Sequence, residues 1–150
     1  MTNIDIIKRK LSEGARYFIL VKKFRVYSNE KILKDEIIKG ALERYLFLLC
    51  QSTIDLAEAV IVYYQLRTPA TYGEIFDILM ENNIIPNNLV LKMKKMTGFR
   101  NILVHAYGEI DNKIMLQVLQ KNSNDIMTFI KSISKKVTKI FFTHIPAFES

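Results

Sequence analysis

Arg100, Asn101, His105 and Tyr107 fall within eight consecutive residues and combine a fixed cation, an amide, an imidazole and a phenol. A guanidinium is charged at every physiological pH and offers a planar fork of N–H donors that matches phosphate oxygens. Imidazole takes and returns a proton near neutral pH. RNA contains its own nucleophile, the 2′-hydroxyl, so a phosphate clamp and a proton acceptor can break its backbone without a metal. The chain's other histidine is His144, and no run of carboxylates accompanies either histidine. The sequence therefore supplies no metal site and calls for no cofactor.

These side chains need a helix to hold them. Asn101 and His105 are four apart and share a face, so the amide can orient the ring or bind substrate. Arg100 and Tyr107 are seven apart and nearly eclipse each other, in line with Met93 and Met96. Arg100 and His105 are five apart, about 140° around an ideal helix, and sit on neighbouring stripes. Ile102, Leu103 and Val104 should anchor that helix to a bundle. A single histidine near a helix end is often only exposed or structural, and a tyrosine is often only packed. Composition and spacing leave both readings open.

Helical periodicity runs through the whole chain. Ile4, Ile7, Leu11, Ala15 and Phe18 form a first stripe that should end near Tyr27-Ser28-Asn29. A second, long helix places Ile38, Leu42, Tyr45, Leu49, Leu56, Val60 and Tyr63 on one side. It is expected to stop around Arg67-Thr68-Pro69, because proline disfavours helix in the residue before it. Thr71 and Glu74 have the spacing of a capping box that opens a short helix through Ile75, Ile78 and Leu79, closed by Asn82-Asn83. Pro86-Asn87-Asn88 starts the helix of Leu89, Met93, Met96 and Leu103. Gly108 and Asp111-Asn112 mark a turn. The last helix shows Met115, Leu119, Ile126, Ile130, Ile133, Val137 and Ile140. The expectation is all-α: an up-and-down bundle of four long helices plus one short helix, spanning residues 1–150 as a single domain.

Cys50 is the sole cysteine, which excludes an internal disulfide and any cysteine-built metal centre. It stands in the run Tyr45-Leu46-Phe47-Leu48-Leu49-Cys50 and reads as a small buried hydrophobe. The chain start lacks the basic-then-apolar pattern of a signal peptide. The most apolar stretch, Tyr45 to Leu66, is interrupted by Gln51, Asp55 and Glu58, which argues against a membrane span. A cytoplasmic protein is expected.

The formal net charge is +7, unevenly spread. Residues 1–28 carry a net +5, residues 29–81 a net −4, and residues 82–108 contain no acid at all. That acid-free segment holds Lys92, Lys94, Lys95 and Arg100, so a polyanion such as RNA could lie along it. Ordinary solvated helix faces would produce the same runs. Lys8-Arg9-Lys10 and Lys135-Lys136 could extend an RNA path or merely aid solubility.

Arg100-Asn101-Ile102-Leu103-Val104-His105-Ala106-Tyr107, an Arg-x4-His-x-Tyr pattern, resembles the signature of HEPN proteins of the HepT toxin group. Ile54-Asp55-Leu56-Ala57-Glu58 looks like that family's second-helix pattern, and Pro69 through Leu79 looks like the segment that follows it. The resemblance covers about residues 35–120, in the right order. It implies a HEPN-type bundle that pairs as a homodimer and brings two copies of the motif into one cleft. It further implies a metal-independent endoribonuclease toxin, with Arg100 holding phosphate, His105 moving protons, and RNA, including tRNA, as substrate. The implied partner is an MntA-like minimal nucleotidyltransferase antitoxin that transfers AMP to the tyrosine at the place of Tyr107. A bulky anion two residues from His105 would block and repel RNA. Where the family often has a polar residue or histidine after the position of Glu58, this chain has Ala59. Asp55 remains as a second-helix contributor, placed to pair with Arg100 in either a structural or a catalytic role. The competing reading is a non-catalytic subunit that holds a nucleotide or substrate for a nucleotidyltransferase.

Overall fold

Most of the helix starts are written in short polar side chains that satisfy otherwise unpaired N–H groups. The structure is a computed structural model that describes residues 2–105 and 110–144, the side chains of 140–144 excepted. Thr2 and Asp5 form a reciprocal capping box that opens α1 (Asn3–Lys23), each accepting the other's backbone N–H at 3.2 Å. A 3-10 turn, Phe24–Val26, ends that helical stretch just before the expected stop. Ser28 caps α2 (Asn29–Lys34), and Asp35 caps α3 (Glu36–Tyr63) by accepting from the N–H groups of Ile37 and Ile38. The Ile38 N–H bond is the main reason the Asp35 carboxyl titrates below its ordinary value.

Two expectations need correction at the ends of α3 and α4. The long helix stops at Tyr63, ahead of the Arg67–Pro69 segment. Gln65 takes a left-handed conformation (φ 55°), and the Leu66 N–H reaches back to the Ile61 carbonyl at 3.0 Å. This is a Schellman closure, which ends a helix by its own hydrogen bonds without needing the proline. The box at Thr71 is only half formed. Thr71 Oγ1 accepts from the Glu74 N–H at 3.1 Å, but the Glu74 carboxylate goes to Arg67. α4 (Tyr72–Glu81) then closes, as expected, at Asn82-Asn83, with Asn83 left-handed at φ 58°.

α5 (Asn87–His105) carries the motif. α6 (Asn112–Gln117), capped by Asp111, continues through a π-helical turn, Val118–Asn122, into α7 (Ser123–His144). The four expected long helices are α1, α3, α5 and α7, and α4 is the expected short one. The six-residue α2 and α6 are additional. Among the described residues no strand occurs, so the all-α bundle is the observed architecture.

α3 is the central post. Leu42, Leu46, Leu49, Cys50, Ile54, Leu56 and Ala57 on it are fully buried. It packs against α1, α4, α5 and α7. By length and composition α3 could cross a bilayer, but more than half of its apolar window is covered by the bundle. Gly14 lets α1 come close: a Cβ there would lie 3.0 Å from Ile130 Cδ1 and 3.8 Å from Ser52 Oγ. Phe76 and Phe129 meet edge-on at 5.4 Å and tie α4 to α7. This frame fixes α5 on α3, α4 and α7, leaving its C-terminal turns at the surface.

Candidate active site around Arg100

Arg100 leaves α5 half-buried and lies between two rings. Its guanidinium carbon is 5.7 Å from the Phe47 centroid on α3 and 5.2 Å from the Tyr72 centroid at the start of α4. Such cation–π contacts are worth roughly 0.5–2 kcal/mol each, depending on desolvation. Arg100 Nε donates to Gln51 Oε1 at 2.8 Å, and Nη1 donates to Asn101 Oδ1 at 3.1 Å. A guanidinium has five N–H donors. Two are used by these partners, and the rest are left for an anion.

Gln51 is itself fixed. Its Nε2 donates to Asp55 Oδ1 at 2.8 Å, and Asp55 Oδ2 faces Lys10 Nζ of α1 at 3.6 Å. Lys10 also bonds Glu13 at 3.3 Å. A chain of polar contacts thus runs from α1 through α3 to the Arg100 head group. Asp55 does not pair with Arg100 directly, as its place beside the apolar stripe had suggested. Gln51 stands one turn nearer and occupies the Nε edge. The sequence contained a signal for this: Gln51 and Asp55 are a polar i,i+4 pair inside the most apolar stretch of the chain.

Asn101 is tied to Arg100 rather than to the His105 ring. Its carbonyl oxygen accepts from Arg100, and its side chain borders a cavity of about 390 Å³ with Glu58, Pro69, Ala70, Thr71, Tyr72 and Ile75. Glu58 titrates above its ordinary value, chiefly because partial burial disfavours its charge and secondly because Asp55 is near. His105 ends α5 and is exposed, and no hydrogen bond joins it to another described residue. Tyr107 lies outside the described residues. Ile102 and Val104, at 40% and 38% exposure, stand between Arg100 and His105 in the sequence.

The lysines of α5 point elsewhere. Lys94 Nζ meets Asp77 at 2.7 Å on α4, and Lys92 Nζ meets Asp125 at 3.6 Å on α7. Lys92 and Lys95 line a separate cavity of about 370 Å³ between α5 and the α6–α7 run, floored by Cys50, Met96 and Phe99. The structure thus brings Arg100, Asn101, Gln51 and Asp55 together and places the three lysines around other sides of α5. Cys50 is fully buried, and burial pushes its thiol up to about 12, with the Arg100 charge opposing the shift. It is a packing residue. Among the described residues no group of three or more His, Cys, Asp or Glu side chains converges as a metal site would require.

The cluster is an arginine that keeps its full charge, held by two neutral amides and two aromatic rings, with an exposed imidazole past the next turn. Residues 15–133 match the family described as ribonuclease HepT-like. The chain is 37% identical to the mRNA nuclease HepT of Shewanella oneidensis over 71% of its own length and 77% of that protein. It is 31% identical to the tRNA nuclease HepT of Aphanizomenon flos-aquae, over 79% and 82% of the two chains. The fold superposes on the tri-AMPylated HEPN toxin of Shewanella oneidensis, solved in complex with its MNT antitoxin. The TM-score is 0.79 at 29% identity, covering 90% of this chain and 99% of that one.

Proposed function

The chain belongs to the HepT-like ribonuclease family, and on that premise we propose that it is a metal-independent endoribonuclease toxin acting in the cytoplasm as a homodimer. The observation that carries the proposal is the mounting of Arg100. Gln51 and Asn101 fix the guanidinium, Phe47 and Tyr72 flank it, and its remaining N–H donors are free for phosphate.

In the proposed reaction Arg100 holds the non-bridging phosphate oxygens. His105 takes the proton of the 2′-hydroxyl, and the 2′-oxygen attacks phosphorus. The bond from phosphorus to the 5′-oxygen breaks, leaving a 2′,3′-cyclic phosphate and a 5′-hydroxyl. The leaving oxygen takes its proton from the partner subunit's His105. Two copies are needed because Arg100 and His105 lie about 140° apart on one helix. Exposed Ile102 and Val104 offer the apolar contact through which two α5 ends can meet. Residues 1–150 act as one HEPN domain, with RNA, tRNA included, as substrate. Lys92, Lys94 and Lys95 serve as an outer RNA contact, since two of them already hold carboxylates. Asp55 supports the site through Gln51.

The proposed regulator is an MntA-like nucleotidyltransferase antitoxin that adds AMP to Tyr107. Support comes from the AMPylated state and the MNT partner of the solved relative. The test uses protein made without the antitoxin and shown by intact mass to be unmodified. It should cleave RNA in the presence of EDTA, and Arg100→Ala and His105→Ala should each lose at least about a hundred-fold. Co-production with the antitoxin should add mass in steps of one AMP and abolish cleavage, and Tyr107→Phe should prevent both changes. Intact RNA after incubation with the unmodified dimer would sink the enzymatic reading.

A further inference from the structure

We propose that the cavity beside Arg100 is a nucleobase subsite that takes a guanine of the RNA, with Glu58 and Asn101 reading its Watson–Crick edge. The inference rests on the ribonuclease reading and adds to it the base that is recognised. Asn101 joins the two places: its oxygen is bonded to Arg100 at 3.1 Å, and its side chain lines the cavity of about 390 Å³. A phosphate held on Arg100 therefore has an attached nucleotide within reach of that cavity.

The walls suit a flat heterocycle. Tyr72, 36% exposed, lines the cavity together with Pro69, Ala70 and Ile75, which give apolar surface. RNA-binding proteins hold splayed-out bases in this way, by stacking on aromatic or guanidinium planes and by hydrogen bonds to the Watson–Crick edge. The polar groups then select the base. With the Asn101 oxygen bonded to Arg100, its Nδ2 remains as a donor facing the cavity's ligand. Glu58 has no hydrogen bond or ion pair to another described residue, and its carboxylate offers two adjacent acceptors. The complementary edge presents two neighbouring donors next to an acceptor. Guanine alone has this arrangement, in N1–H, N2–H and O6. Adenine and cytosine each present only an exocyclic amine, and uracil a single ring N–H.

The experiment pairs an atomic change in the RNA with an isosteric change in the protein. Unmodified, antitoxin-free protein in EDTA is given short single-stranded RNAs of mixed sequence, and the cleavage sites are mapped. The best substrate is then remade with inosine, which lacks the 2-amino group, in place of guanosine. The wild type should cut beside guanosine and lose on the order of ten- to a hundred-fold on the inosine RNA. Glu58→Gln should lose a similar factor on guanosine and suffer little further loss on inosine. Cleavage without base preference, or an inosine penalty that survives in Glu58→Gln, overturns the proposal while leaving the ribonuclease reading intact. If no RNA is cut, the ribonuclease reading has failed, and binding of guanosine and inosine monophosphates to the same protein decides the subsite separately. A guanosine preference of about ten-fold or more that Glu58→Gln erases supports it, and equal binding of the two overturns it.

Discussion

At the scale of single residues, the site depends on how Arg100 is held rather than on its presence alone. A free arginine side chain loses considerable rotamer entropy when it grips a phosphate. Here Gln51 takes Nε at 2.8 Å, and Phe47 and Tyr72 flank the head group, so much of that ordering is complete before RNA arrives. Gln51→Leu keeps the apolar packing of α3 but frees Arg100 Nε. It should lower kcat/KM for RNA by about ten-fold, whereas Gln51→Glu combined with Asp55→Asn, which keeps an acceptor for Arg100 and a donor between the two α3 side chains, should retain most activity. Circular dichroism and thermal melting of both variants separate this loss from unfolding. Arg100 and His105 could be placed on one helix from the sequence because their spacing is fixed by the chain. Gln51, Phe47, Tyr72 and Glu58 were not singled out as site residues, because they reach it from other helices. Asp55, expected to pair with Arg100, reaches it only through Gln51.

At the scale of elements, helix starts were encoded more fully than the periodicity suggested. Thr2, Ser28, Asp35, Thr71 and Asp111 each cap a helix with a side-chain oxygen. The π-helical turn at Val118–Asn122 had no such signal. It interrupts an apolar stripe that reads as one continuous helix, and its partner lies far away in sequence. Arg25 Nε donates to the Leu119 carbonyl at 2.9 Å, and Nη2 donates to Ser123 Oγ and Asn124 Oδ1, each at 2.8 Å. One of the N-terminal cations is therefore a structural clasp on the α6–α7 run rather than a contact for RNA. Arg25→Ala removes two partly buried hydrogen bonds and one exposed one. It should destabilise the fold by about 1–3 kcal/mol, seen as a lower urea midpoint at unchanged m. An unaltered midpoint would show that the π turn holds without the clasp.

At the scale of the whole molecule, charge and apolar surface act together. The net charge of +7 favours a polyanionic partner. Internal pairing nevertheless removes Lys10, Arg25, Lys92 and Lys94 from any simple basic stripe. What remains open at the motif is the end of α5, where Ile102 and Val104 are exposed beside the catalytic candidates. A charge placed in a self-complementary apolar contact is repeated by symmetry and repels its own copy. Ile102→Glu should therefore convert a dimer into a monomer by light scattering. It should also lower RNA cleavage at least about ten-fold while leaving the helical content unchanged. A monomeric wild type with full activity would remove the composite site from the mechanism.

The sequence by itself determined the bundle, because 3.6-residue periodicity and scarce glycine and proline leave little but packed helices. It also placed Arg100, Asn101, His105 and Tyr107 on one stretch, because their spacing is fixed by the chain. Only tertiary structure decided what surrounds them. The Gln51 anchor on α3, the Tyr72 ring on α4 and the Lys10–Asp55 pair across α1 and α3 all depend on how separate helices cross. The same holds for the lysines of α5, whose partners lie on α4 and α7. Periodicity tells which face of each helix is buried. It does not tell which residue of the neighbouring helix meets a given side chain, and that pairing is what holds the Arg100 head group in place.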